Sequence, residues 1–265
     1  MNILKWLIMT ALFVSACSTV PMTGRKQLSL VNDKDVLTSS FQQYSEYIKT
    51  APISKDKAKT AMVVNVGRRI AMATDQYMRN NGMADRVNGF KWEFNLVADP
   101  APNAFCMPGG KIVVYEGILP YTEDETGLAV VVGHEVAHAI AKHSNERMSQ
   151  QVLVSVGSEF VNMAVDKQSM LVKTLAPTIF GLGVQIGVML PYSRAHESEA
   201  DHIGLILMAM AGYNPAAAEH FWQRMSQQGG SKSPAFLSTH PSDETRAAKL
   251  RELLPSVQKY YKPVY

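Results

Sequence analysis

Residues 128–143 read Leu-Ala-Val-Val-Val-Gly-His-Glu-Val-Ala-His-Ala-Ile-Ala-Lys-His. From Leu128 to Ile140 the run is apolar except at His134, Glu135 and His138. A helix that is apolar on every side is a buried one. Burying two imidazoles and a carboxylate there costs on the order of several kcal/mol unless something satisfies them. The spacing names a partner. His134 and His138 stand at i and i+4, so a helix projects them from one face, where both can reach a single zinc ion. Glu135 lies about 100° further round, beside the metal without being a ligand. The pattern is H-E-x-x-H. Gly133, Ala137 and Ala141 form a small-residue stripe that lets another element approach closely.

The motif lacks a third protein donor, and residues 191–204 offer one. Ser193 is a suitable N-cap there and Gly212 a suitable stop, with Ile203, Ile206, Leu207 and Met210 facing the core. Glu197 and Asp201 are i and i+4 and share a face with Gly204. Glu197 is the expected third zinc ligand, and Asp201 the acceptor that fixes a ligand imidazole. Glu199 points elsewhere. His196 and His202 suit a metal by residue type, but neither shares the Glu197 face.

Around these helices the chain reads as one α+β domain. It has 265 residues, 46% of them hydrophobic, enough for an ordinary core. The formal charge of +3 is small and dispersed, which argues against a nucleic-acid partner. Helices are expected over 33–49, capped by Asn32, and from a Ser54 cap to about Asn80. Residues 90–97 alternate apolar and polar with the period of a half-buried strand, and Lys111–Tyr115 forms a second strand after the turn at 107–110. That strand is either an edge, able to pair with an extended peptide, or an interior strand. Leu175–Leu190 is apolar but short for a membrane span; a helical hairpin, a mobile lid and a membrane-touching segment all fit it.

The N-terminus reads as a targeting segment. A positive start, an apolar core over Trp6–Val14 and Val14-Ser15-Ala16-Cys17 resemble a bacterial lipoprotein signal. Cleavage would remove residues 1–16 and leave Cys17 for lipidation; an ordinary secretory signal or an uncleaved anchor is the alternative. Residues 17–31 then form a tether, and 32–265 a single domain. Ser18 after the cysteine favours the outer membrane by the same resemblance. Cys106 is then the one remaining thiol, a small buried hydrophobe in preference to a nucleophile.

With these residues assembled, the chain resembles the zinc metallopeptidase family of the CAAX prenyl protease and the bacterial β-barrel assembly-enhancing protease, and within it the small periplasmic lipoproteins. The resemblance rests on residues 20–28, 103–117, 133–139, 193–205 and 238–246. It implies a mostly helical, zincin-like (gluzincin) fold with a small antiparallel sheet beside the metal helix. One zinc per chain would be held by His134, His138 and Glu197, with Glu135 as catalytic base. His240 matches a family histidine that either stabilises the oxyanion or coordinates zinc and holds the enzyme off. Asn103 and the strand from Gly110 through Lys111, Ile112 and Val113 match the substrate-binding edge. The implied activity is endopeptidase action on unfolded or misassembled envelope proteins, with a lipid anchor at Cys17 in the membrane. An assembly factor with a latent site, with the outer-membrane assembly machinery as partner, is the rival, and a cell-wall amidase a weaker one. Because the chain ends at Tyr265 soon after its last helix, the repeat domain of the larger assembly-enhancing members is not expected.

Overall fold

The computed structural model describes residues 17–156, 193–227, 235–240 and 245–263. The signal segment, the whole of the 175–190 stretch and residues 241–244 therefore lie outside the described residues. Within them, no helix is long and apolar enough to cross a membrane.

The central element is helix α4 (Glu125–Ile140). Asp124 caps it by accepting the Gly127 N–H at 2.8 Å, and every residue from Gly127 to Ile140 is buried. Helix α2 (Lys57–Asn80) packs along it, after α1 (Asp33–Thr50) and ahead of the short α3 (Leu119–Thr122). Asn32 caps α1 as the sequence predicts. The cap of α2 is Asp56, which accepts from Lys59 N at 3.0 Å. Ser54, expected in that place, instead accepts from Asp56 N and bonds Glu116. Its hydroxyl braces the residue after a strand, so the helix starts two residues later.

A three-stranded sheet covers the other side of α4. Its strands are β3 (Glu93–Val97), β4 (Ala104–Met107) and β5 (Lys111–Tyr115), in the spatial order β3-β5-β4. The sheet is mixed: β4 and β5 pair antiparallel, β3 and β5 parallel. Gly109 and Gly110 turn the β4–β5 hairpin with φ of 90° and 83°, and a Cβ on either would meet the rings of Phe41 or Trp92 at under 3 Å. This order corrects one expectation. Lys111, Ile112 and Val113 lie on the central strand, hydrogen-bonded on both sides, so neither they nor the turn residue Gly110 offer a free edge to a peptide. Strand β4 is the edge strand on the α4 side.

Residues 17–31, expected as a tether, are folded too. Strands β1 (Cys17–Thr19) and β2 (Lys26–Leu28) pair antiparallel. Val20 beside them is 1% exposed within the core, and Arg25 reaches two buried acids. Those contacts offset the entropy of ordering the segment.

Beyond α4 the chain turns at Lys142, a non-glycine residue at φ 57°, into α5 (His143–Val156). Helix α6 (Arg194–Met210) lies against α4 in the most extensive helix contact of the described chain. Ser193 caps it and Gly212 at φ 84° ends it, both as the sequence predicts. Helices α7 (Ala217–Gln227), α8 (Ala235–Thr239) and α9 (Arg246–Val257) close the far side.

Candidate metal centre

Gly133 on α4 and Gly204 on α6 set the distance between the two helices. A Cβ on Gly204 would lie 2.9 Å from the backbone nitrogen of His134. This close approach carries Glu197, about two turns back along α6, into the face that presents His134 and His138.

His134, His138, Glu197 and His240 each offer one donor atom, and the four donors lie within 4.8 Å of one another. His240 Nδ1 is 3.2 Å from His134 Nε2 and 3.1 Å from Glu197 Oε1. His134 Nε2 is 3.1 Å from His138 Nε2. Glu197 oxygens stand 3.4 and 3.3 Å from those two nitrogens. Four ligands placed tetrahedrally around zinc at about 2.0–2.1 Å are about 3.3–3.4 Å apart, so the spacing fits that ion. Among the described residues this is the one group with such geometry. His196 and His202 lie outside it.

The hydrogen-bond pattern fits as well. Asp201 Oδ1 is 3.0 Å from His134 Nδ1, and a carboxylate can only accept there. The His134 hydrogen is therefore on Nδ1 and its Nε2 lone pair faces the other donors. Two imidazole lone pairs and a carboxylate aimed at one point repel each other unless a cation lies between them. Glu197 Oε2 is buried and makes no hydrogen bond, although the Arg246 guanidinium lies 3.2 Å away. Burial alone would lower the His134 pKa, but hydrogen bonds to Asp201 and Glu197 push it up to about 9; the acids draw a proton where a metal would replace it. Burial holds His138 well below the usual imidazole range. Burial opposes ionisation of Glu197, but the neighbouring His240 and His134 hold its pKa well below the usual carboxylate value.

Glu135 faces the same space from α4. Its Oε1 is 3.2 Å from His240 Nε2, and burial raises its pKa above the usual carboxylate value. The backbone N–H of Cys106 on the edge strand β4 faces its carboxylate and offsets a small part of that rise. The Cys106 thiol is buried, with its pKa pushed well up by burial, which makes it inert, as expected. Asn103 precedes β4 and accepts from Ala104 N at 2.9 Å through its own side chain. Phe236 N donates to Pro102 O at 2.9 Å, tying α8 to this loop.

Several residues that contact the centre carried no sequence signal of that role. Arg246, at the start of α9, donates to both Asp201 oxygens at 2.8 and 2.7 Å. Its Nη1 lies 3.2 Å from Glu197 Oε2, and its guanidinium stacks 3.3 Å over the Trp222 ring. Asp201 stays ionised because Arg246 and His134 outweigh the burial that would raise its pKa. Glu199, read as pointing away from Glu197, does so, but it points at His143. Glu146 receives a fork of hydrogen bonds from Arg25 at 3.0 and 2.7 Å, and one involving His196 Nε2 at 2.9 Å. Burial lowers the His143 pKa to about 4.

Glu146 and Glu199 are both held at about 2: burial would raise them, but His196 and Arg25 lower the first, and His143, Arg25 and Thr23 the second. Their folded pKa lies below the ordinary carboxylate value of 4.5. The stability they contribute is therefore fully present above that value and is lost as pH falls towards about 2. In chemical unfolding followed by circular dichroism, the wild-type protein should weaken steeply across that window. Arg25→Ala should flatten the slope.

A family model described as Peptidase family M48 matches residues 65–254. Among curated proteins, the "Mitochondrial metalloendopeptidase OMA1" of Schizosaccharomyces pombe is 36% identical over 244 residues, covering 90% of this chain and 67% of that protein. The protein of the same name in Arabidopsis thaliana is 36% identical over 166 residues, 63% of this chain and 32% of its own length. The "Beta-barrel assembly-enhancing protease" of Escherichia coli is 26% identical over 256 residues, 90% of this chain and 48% of that protein. The chain thus spans two thirds of the first of these relatives and half or less of the other two. The matched region contains α4, with its histidine pair, and α6, with Glu197 and Asp201, and on these grounds the chain belongs to peptidase family M48, the zinc metallopeptidases.

Proposed function

We propose that this chain is a zinc endopeptidase of the bacterial envelope, lipid-anchored through Cys17, that cleaves unfolded or misassembled proteins. The observation that carries the chemistry is the convergence of His134, His138 and Glu197 donors, with Glu135 beside them and not among them. When bound, zinc supplies Lewis acidity and makes a neighbouring water acidic near neutral pH. Glu135 takes the proton of the attacking water and passes it to the leaving amine; its desolvated carboxylate suits a proton acceptor working near neutrality. Asp201, held by Arg246, keeps His134 in the donor tautomer. An extended substrate would pair with the edge strand β4, with Asn103 at its entrance, because that strand packs against the helix that carries Glu135. Cys17 is exposed at the start of the N-terminal hairpin, a placement that suits an anchor.

Zinc-loaded protein beginning at Ser18, incubated with an unfolded protein such as casein, tests the reading. Cleavage that stops on chelation and returns with zinc is expected; zinc binding without any cleavage would remove the constitutive activity.

One observation favours the rival, an assembly factor with a latent site. His240 Nδ1 already sits among the donors while its Nε2 faces Glu135, as a side chain filling the fourth position would. If it holds the site closed, His240→Ala should raise casein cleavage several-fold above wild type. If it stabilises the oxyanion, the same variant should lose roughly 100-fold in kcat.

A further inference from the structure

His138 and His143 are five residues apart, and on a straight helix their side chains would point about 140° apart. The helix is not straight there. Lys142 takes a left-handed conformation at φ 57°, α4 has ended at Ile140, and α5 begins at His143 itself. The break turns His143 back onto the metal helix. Its Nδ1 lies 2.8 Å from His138 Nδ1, with the rings edge to face. A non-glycine residue in that region carries a backbone penalty, and the contact is made against it.

The other side of His143 is occupied just as closely. Its Nε2 lies 3.0 Å from Glu199 Oε2. Glu199 also accepts from Arg25 Nε at 2.8 Å and from Thr23 Oγ1 at 2.5 Å. Both donors belong to the turn and second strand region of the N-terminal hairpin. His196 stacks on the His143 ring at 4.4 Å, so the imidazole is held in plane as well as at both nitrogens.

This chain of contacts decides where hydrogens sit. Glu199 is ionised and can only accept, which places the His143 hydrogen on Nε2. A neutral His143 then has its lone pair on Nδ1. Only one hydrogen fits between two ring nitrogens 2.8 Å apart, and it must come from His138 Nδ1. His138 is left with its lone pair on Nε2, the atom facing His134 and Glu197.

We propose that His143 is the positioning residue for the metal ligand His138. Held by Glu199 and, through it, by Arg25 and Thr23 of the N-terminal hairpin, it selects the tautomer and ring orientation that His138 needs to bind zinc. The inference rests on the zinc-site reading above. It makes the hairpin part of the metal centre: Asp201 with Arg246 orients one imidazole, His143 with Glu199 and Arg25 the other.

Two measurements test this. Long-range proton–nitrogen spectra of the zinc-free wild-type protein read the tautomers without any substitution. Hydrogen on Nε2 of His143 and on Nδ1 of His138 is expected, and hydrogen on His143 Nδ1 overturns the proposal. The second is zinc release to a chelator, with the ligand-field spectrum of the cobalt(II)-loaded protein recorded alongside. His143→Leu removes the acceptor and should weaken metal retention about 10–100-fold and change the cobalt spectrum. His143→Asn places a carbonyl oxygen near the lost Nδ1 and should recover most of both. Equal losses in the two variants, or retention within about twofold of wild type in a folded His143→Leu protein, overturn the proposal against that expectation. If His143→Leu does not fold, the Asn variant and the wild-type tautomers still decide. A wild-type protein that binds no zinc overturns the zinc-site reading itself, whatever the tautomers are.

Discussion

Glu135→Gln is expected to lower kcat/KM for casein hydrolysis by about 10²–10⁴-fold, the usual contribution of a positioned general base, while zinc content stays at the wild-type level. The split follows from position. Glu135 neighbours His134 in sequence, but its carboxylate faces His240 Nε2 and the Cys106 N–H and stands outside the four-donor group. Glutamine keeps the size and can still accept a hydrogen bond, but it cannot take up a proton. Metal content by atomic absorption and cleavage by gel assay separate the two roles. Zinc lost together with activity would show that Glu135 is a ligand or a structural support, and the base assignment would have to move.

Gly204→Val should be the most destabilising single substitution near the site. The Cβ it adds would lie 2.9 Å from the nitrogen and 3.1 Å from the Cα of His134. Both are backbone atoms of a buried helix, with no flexible side chain to give way. The helices would have to separate, and they are the two that carry His134, His138, Glu197 and Asp201. A cost of about 3 kcal/mol or more follows for overpacking against backbone, which for a domain of this size lowers Tm by roughly 6–12 °C. The larger consequence is for the metal. Donors about 3.3 Å apart cannot follow a helix shift of even about 1 Å and still close around one ion. Thermal unfolding with and without zinc should show a lower Tm and little stabilisation by the metal. Met72→Ala, at a side chain 71% exposed, serves as the unaffected control. A Gly204→Val protein with wild-type Tm and full zinc-dependent stabilisation would mean that the helix contact is not what sets the site.

The local features of the site were legible because helical periodicity is local. His134 and His138 share a face by their spacing alone, and Glu197 and Asp201 share one by theirs. Ser193 and Gly212 mark the ends of α6 by their own capping chemistry. The small-residue stripe implied a close neighbour, and Gly204 is that neighbour.

What failed depends on which partner lies across a gap. Lys111–Tyr115 was legible as a strand, but pairing on one side or both is a property of the sheet, and it proved to be the central strand. Residues 17–31 look like a tether because of their turn residues; a buried Val20 and the Arg25 contacts to acids more than a hundred residues away reverse that reading. Ser54 and Asp56 are equally good caps until Glu116 claims the first.

The sequence by itself therefore determined the metal chemistry of this protein: two imidazoles one turn apart on a buried helix, an acid beside them, and an i, i+4 acid pair on a second helix. Only the tertiary structure decided how those donors are held. His240, Arg246, His143, Glu199 and Arg25 reach the site from five separate segments, and no periodicity links them. Their positions follow from long-range packing and from the need to pair every buried charge, and one left-handed residue, Lys142, turns a histidine that a straight helix would point away from the site back onto His138.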